Sequence, residues 1–131
     1  MFMTKECDYA VRIVRCLSGM DIKPVRMICE SENMPLPFAY KILKKLEKAK
    51  IVKSYRGAAG GYQLQKEPGS LNLLGIVSVV DRNLLINECL QENYECKNNQ
   101  PGEHCNVHIE LDRIQGILEN ALQEKSMLEL V

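Results

Sequence analysis

The sequence predicts a mainly α fold with a small β-hairpin wing: a winged helix-turn-helix followed by a long C-terminal helix. Three observations lead there. In the stretch FAYKILKKLEKAKIVKSYRGAAGGYQL, residues 38–64, Ala39, Ile42, Leu43 and Leu46 repeat at three-and-four spacing, which lays one apolar stripe along a helix whose other face is basic. The helix is followed by two short strand-like runs, Ile51 to Tyr55 and Tyr62 to Leu64, joined by Arg56-Gly57-Ala58-Ala59-Gly60-Gly61, whose glycines permit the positive φ angles of a hairpin turn. Two shorter amphipathic segments precede this unit, and a heptad pattern closes the chain.

The elements follow in order. Thr4 to Ser18 reads as a first helix with Thr4 as N-cap, Ala10, Ile13, Val14 and Leu17 on its apolar face, and Gly19 as its stop. Pro24 opens a shorter helix through about Glu32, with Met27 and Ile28 expected inside. Pro35 and Pro37 then break the chain and restart it as the basic helix. Beyond the wing, Glu67-Pro68-Gly69-Ser70 is turn chemistry, and Asn72 is placed to cap a helix carrying Leu73, Ile76, Val77 and Val80. Between Arg82 and Asn106 periodicity lapses, which predicts a loop with one short helical turn around Leu84 to Leu90. Asn106 to Leu130 reads as one helix with Val107, Leu111, Ile114, Leu118 and Ala121 alternating four and three apart, supplemented by Ile117 and Leu122. Such a seam either packs on its own domain or joins two copies; a small winged domain leaves little to cover, which favours a homodimer. The chain therefore divides into a DNA-binding winged helix-turn-helix, 1–66, and a second part, 67–131, made of a helix, a cysteine loop and the long helix.

The 131 residues are 46% hydrophobic and 26% charged, ordinary for a globular protein with one modest core. Net charge is zero, but its placement is uneven: Lys41 to Arg56 carries seven bases against one acid, and Leu84 to Val131 three bases against nine acids. A basic centre and an acidic C-terminal part point to one DNA-facing surface. A lysine-rich helix alone is commonly just a solvated face, so the hairpin after it carries the argument. The glycines do not make a phosphate loop, because that needs a helix N-terminus directly after them and Tyr62-Gln63-Leu64 is strand-like. Lys44 and Lys45 are assigned to phosphate and Arg56 to the minor groove, and Gly57 and Tyr62 of the same wing belong to the expected DNA-binding surface. Tyr40, Lys41 and the helix start at Pro37 are the expected base readers.

Charges at Lys5, Glu6, Asp8, Arg12 and Arg15 interrupt the start of the chain, so it resembles no export signal, and no run is long enough for a membrane span. The expected compartment is the cytoplasm, where six cysteines serve as core residues, ligands or reactive thiols rather than disulfides. Cys16 and Cys29 fall in apolar helical surroundings and read as core. Cys89, Cys96 and Cys105 fall in or beside the polar loop, with six and eight residues between them and with His104 and His108 at its end. Soft thiolates suit zinc and iron-sulfur clusters alike. Structural zinc usually takes ligands in pairs roughly two to four residues apart, a spacing missing from this loop, so the wider gaps favour a larger inorganic core.

Taken together, several motifs are similar to those of the Rrf-two superfamily of bacterial winged-helix regulators. They are Thr4-Lys5 with Asp8-Tyr9-Ala10-Val11-Arg12, Leu36-Pro37-Phe38 before Ile42-Leu43-Lys44-Lys45-Leu46, then Val52, Arg56-Gly57, Gly60-Gly61-Tyr62 and Leu73-Leu74-Gly75-Ile76-Val77. The resemblance covers nearly the whole chain. It implies a homodimer joined by the long helix, a near-palindromic double-stranded operator, and an iron-sulfur cluster, 2Fe-2S or 4Fe-4S, whose ligands carry over as Cys89, Cys96 and Cys105. For a fourth ligand it offers Asp8, where the nitric oxide sensors of the family have an aspartate that reaches the partner's cluster, or His108, where its cluster-biogenesis regulators have a histidine. Asp8 is preferred because a link across the dimer would tie ligation to the DNA-binding domain. The sequence departs from the family at Lys50, where a glycine usually ends the basic helix, at Pro37, Tyr40 and Lys41, and in the uneven cysteine spacing.

The leading expectation is a cluster-controlled transcription regulator, activator or repressor, sensing nitric oxide, oxygen or iron-sulfur status. The alternative is a regulator of the same fold without a cluster, responding to a small molecule, zinc or thiol oxidation. An enzyme built on Cys105 and His108 ranks last, since nucleophilic catalysis needs a positioned base, an orienting third group and a cleft, and a polar loop offers little support for such a site.

Overall fold

The computed structural model describes residues 3–131. Helix α1 (Lys5–Cys16) starts as the sequence predicts, with the Thr4 hydroxyl accepting from the Cys7 N–H. It ends earlier than Gly19: the chain turns after Leu17, and the left-handed residue is Met20, φ 66°. Helix α2 (Val25–Glu32) follows Pro24 and stops at Asn33, whose φ of 51° closes it. Ile28 is buried as expected, but Met27 is 51% exposed and does not belong to the core. Helix α3 (Leu36–Lys48) buries Ala39, Ile42, Leu43 and Leu46 completely.

Strands β1 (Val52–Tyr55) and β2 (Gly61–Leu64) pair antiparallel, Val52 opposite Leu64 and Tyr55 opposite Gly61. The wing is tethered on its other edge as well. Lys23 and Tyr62 exchange two backbone hydrogen bonds of 2.8 Å, joining β2 to the residue before Pro24. Gly61 is required there, because a Cβ would collide with the Lys23 carbonyl and Pro24 nitrogen.

A 3-10 turn at Pro68–Ser70 leads to α4 (Leu73–Val80), capped by the Asn72 side chain at 2.8 Å from the Gly75 N–H, as expected. Helix α4 packs on α1 and α3, so Leu71, Ile76, Val77, Val80 and Leu84 share one continuous core with the winged unit. The loop holds one short 3-10 turn, Glu88–Leu90, and ends at α5 (Asn106–Glu124). Here the expected single helix to Leu130 is corrected. Helix α5 stops at Glu124, and α6 (Met127–Leu130) begins after a capping box in which Ser126 and Glu129 satisfy each other's backbone N–H groups. The Met127 N–H donates to the Leu71 carbonyl at 2.7 Å and its side chain is buried, so the C-terminal turn folds back onto the root of α4.

Candidate functional site

Helix α3 shows three surfaces. Its core stripe is the set just named. Pro37, Tyr40, Lys41, Lys44 and Lys48 are exposed along the outside, Tyr40 at 48%. The third surface faces α1 and α4: Lys45 pairs with the Glu6 carboxylate at 3.0 Å and donates to the Val80 carbonyl at 3.0 Å, and Lys41 reaches across from the outer face to pair with the same carboxylate. These hydrogen bonds, that from Lys41 foremost and then that from Lys45, hold the Glu6 carboxyl below its ordinary range. Lys45, assigned from sequence to phosphate, thus also braces α3 against α1 and α4. Lys44 and Lys48 form no ion pair among the described residues.

The wing sits beside α3. Ser54 donates to Glu47 at 2.6 Å, Lys53 lies over the Tyr55 ring at 5.4 Å, and the Tyr55 hydroxyl donates to Gln63 at 2.9 Å. Arg56 is exposed at the end of β1, and Gly57 takes φ 97° in the turn, closed by the Gly60 N–H donating to the Gly57 carbonyl. Tyr62 is half-buried, which pushes its phenol pKa up. The base-reading candidates Pro37, Tyr40 and Lys41 therefore lie on one helix face, and Arg56 and Gly57 on an exposed hairpin.

The loop and the start of α5 form a second site. Cys89, Cys96, Cys105 and His108 line one cavity of about 200 Å³, with Tyr94, Val107 and Leu111 supplying its apolar wall. Cys105 is the N-cap of α5, its sulfur accepting from the His108 N–H at 3.4 Å; the Cys89 sulfur accepts from the Asn87 amide at 3.3 Å. Among the described residues no three His, Cys, Asp or Glu side chains are close enough to hold a single metal ion. Asp8 is not in this cavity; it lies on α1 and pairs with Arg12 at 3.1 Å. Cys16 and Cys29 are half-buried against the core, as their helical positions suggested, and burial pushes the Cys29 thiol up.

Gln115 was not singled out from sequence. It is the buried residue of α5, 6% exposed, and its amide accepts from the Ile86 N–H at 3.0 Å and donates to the Leu84 carbonyl at 3.1 Å and to Glu119 at 2.9 Å. It pins the start of the cysteine loop to α5. The only signal in the sequence is a long polar side chain between two apolar heptad positions. The seam itself stays open in the single chain: Val107 is 67% exposed and Ile114 39%, Ala121 is exposed, and Leu111 and Leu118 are half-buried.

A three-helix unit with a tethered hairpin, an exposed basic helix and a thiol-lined loop define a winged-helix, DNA-binding transcription regulator. The comparisons agree. The profile of the Rrf2 family, described as an iron-dependent transcriptional regulator, matches residues 3–131, and the chain belongs to that family. A Haemophilus influenzae protein provisionally described as an HTH-type transcriptional regulator is 33% identical over the whole chain and 87% of its own length. IscR of an Enterobacter species is 33% identical over 101 residues, 74% of this chain and 60% of that protein, so the match spans about three fifths of IscR. In fold, T. potens IscR superposes with a TM-score of 0.76 at 21% identity, covering 98% of this chain and 84% of that one. CymR, the global cysteine regulator of B. subtilis, gives 0.71 at 20%, covering 98% and 94%. Among the described residues no helix is long and apolar enough to cross a membrane.

Proposed function

We propose that this chain acts in the cytoplasm as a homodimeric transcription regulator whose operator affinity is set by an iron-sulfur cluster held by Cys89, Cys96 and Cys105. The observation that carries the reading is the convergence of these three thiols and His108 on one cavity. Three soft thiolates around one cavity are the ligand type that an iron-sulfur cluster takes, and their sequence spacing lacks the close pairs usual in structural zinc sites. When bound, the cluster would supply a centre that nitric oxide, oxygen or iron shortage alters. The chain's own groups support the site: the Asn87 amide and the His108 N–H donate to two of the sulfurs, which tunes thiolate ligands.

The winged unit is the DNA-reading part. Pro37, Tyr40 and Lys41 read bases, Lys44 and Lys45 meet phosphate, and Arg56, Gly57 and Tyr62 serve the wing. Lys45 contributes with whatever donor its Glu6 and Val80 partners leave free. The open seam of Val107, Leu111, Ile114, Leu118 and Ala121 joins two copies, which suits a near-palindromic operator. A contiguous path runs from site to helix: Gln115 holds Leu84 and Ile86, α4 ends at Val80, and Val80 is bonded to Lys45 of α3. Loop rearrangement on cluster loss would act on α3 through this path.

For the fourth ligand, His108 is supported by its place in the cavity, whereas Asp8 requires the partner subunit. Anaerobic reconstitution tests both the cluster and its ligand. A brown protein whose visible absorbance is lost in Cys89→Ala, Cys96→Ala and Cys105→Ala supports the reading, and loss of cluster stability in only one of Asp8→Ala and His108→Ala assigns the ligand. A second reading, a regulator of the same fold without a cluster that responds to a small molecule, zinc or thiol oxidation, requires a colourless protein after the same treatment.

A further inference from the structure

Between the C-terminal half of α3 and the end of α4 lies an open cleft of about 600 Å³ whose charged lining is wholly cationic: Lys45, Lys48 and Arg82. Lys48 and Arg82 are exposed and form no ion pair among the described residues. Lys45 bonds to Glu6 and to the Val80 carbonyl, and an ammonium has three donors, so one remains for the cleft. The Val80 contact has a second effect. It satisfies a carbonyl at the C-terminus of α4, where the helix would otherwise turn its negative end toward an incoming anion. Asp81, the adjacent carboxylate, accepts from the Asn83 N–H at 2.9 Å and lines the neighbouring clefts rather than this one.

We propose that this cleft seats a backbone phosphate of DNA, with Lys48 and Arg82 as its ligands and the free donor of Lys45 behind them. The proposal rests on the DNA-binding reading and extends the footprint from α3 and the wing to the root of the cysteine loop. A phosphodiester suits the site better than a free anion for two reasons. Lys48 stands four and seven residues after Lys44 and Lys41, so the cleft opens onto the exposed stripe of α3. Its wide mouth also cannot enclose most of a small ligand's surface, as effector sites usually do. Arg82 lies two residues after α4, so a loop rearrangement would move one ligand of this phosphate directly.

The salt dependence of DNA binding by the full-length protein tests this, with Lys48→Gln, Arg82→Gln and, as reference on the α3 stripe, Lys44→Gln. All three are surface changes, and thermal unfolding checks that they fold. Each of Lys48→Gln and Arg82→Gln should lower the slope of log K against log salt by about 0.9 and weaken operator and unrelated duplexes by the same factor, while Arg82→Lys keeps the slope. Unchanged slopes in both, beside a lowered slope in Lys44→Gln, overturn the proposal and leave the DNA-binding reading standing. An unchanged slope in all three removes α3 as the phosphate-contacting helix, and the proposal falls with it. Calorimetric titration of the DNA-free protein with inorganic phosphate should show no saturable binding. Saturable binding that Arg82→Gln abolishes, with DNA slopes unchanged, would assign the cleft to a free anion instead.

Discussion

Replacing Gln115 with methionine keeps the length and volume of the side chain and removes its amide. Three hydrogen bonds are lost, those with the Ile86 N–H, the Leu84 carbonyl and Glu119. Glu119 is half-buried and recovers water, so its loss is small. The two backbone groups decide the outcome. Leu84 is buried, and its carbonyl would stay unpaired in an apolar setting; Ile86 is half-buried and regains partial hydration. A buried backbone group left without a partner costs about 1–3 kcal/mol, so one full and one partial penalty give a loss of about 2 kcal/mol. Equilibrium urea unfolding of wild type and Gln115→Met at equal protein concentration measures it, because the stability of the proposed dimer would depend on concentration. The same variant should loosen the start of the cysteine loop, seen as faster amide exchange at residues 84–90. A loss below about 0.5 kcal/mol with unchanged exchange would mean that Gln115 does not hold the loop, since that is the range of neutral surface changes.

Three further outcomes are expected. Lys50 sits at φ 59°, a left-handed position closing α3, so Lys50→Gly should raise stability by about 1 kcal/mol in urea unfolding, and a decrease would contradict the strain. Leu118→Glu or Ile114→Lys places an unpaired ion in the proposed subunit contact, and sedimentation should find folded monomers; a persistent dimer would place the contact elsewhere. Glu6 has its carboxyl pKa lowered in the folded state by Lys41 and Lys45, so its contribution is complete above its ordinary value of 4.5 and is lost as pH falls through the depressed folded value. Glu6→Gln should therefore cost about 0.5 kcal/mol at neutral pH, a figure kept small by the exposure of Lys41 and the partial exposure of Lys45, and converge with wild type in acid.

What could be read from the sequence was what local spacing encodes. The core stripe of α3, the Thr4 and Asn72 caps and the glycine turn of the wing are all set by residues within a few positions of each other, and the structure has them where the pattern put them. Met27 was misplaced because an eight-residue helix offers too few turns to fix which side faces inward. The break after Glu124 was hidden inside the heptad: Ser126 and Glu129 spell a capping box, but apolar residues continue on both sides of it. The Glu6 contacts to Lys41 and Lys45 join residues more than 30 positions apart, so the basic face could be read but not its partial neutralisation. For the thiols, residue type suggested a shared site, and only folding of the loop back onto α5 brings Cys89 and Cys96 beside Cys105 and His108.

The most direct test of cluster control is the affinity of the anaerobically isolated protein for its operator, selected from random duplexes, before and after nitric oxide, in wild type and in Cys105→Ala. The account predicts a cluster-dependent change: wild-type affinity shifts on nitric oxide treatment, and Cys105→Ala binds as the treated protein does and no longer responds. Wild-type affinity that stays the same with and without nitric oxide and equals that of Cys105→Ala would contradict it.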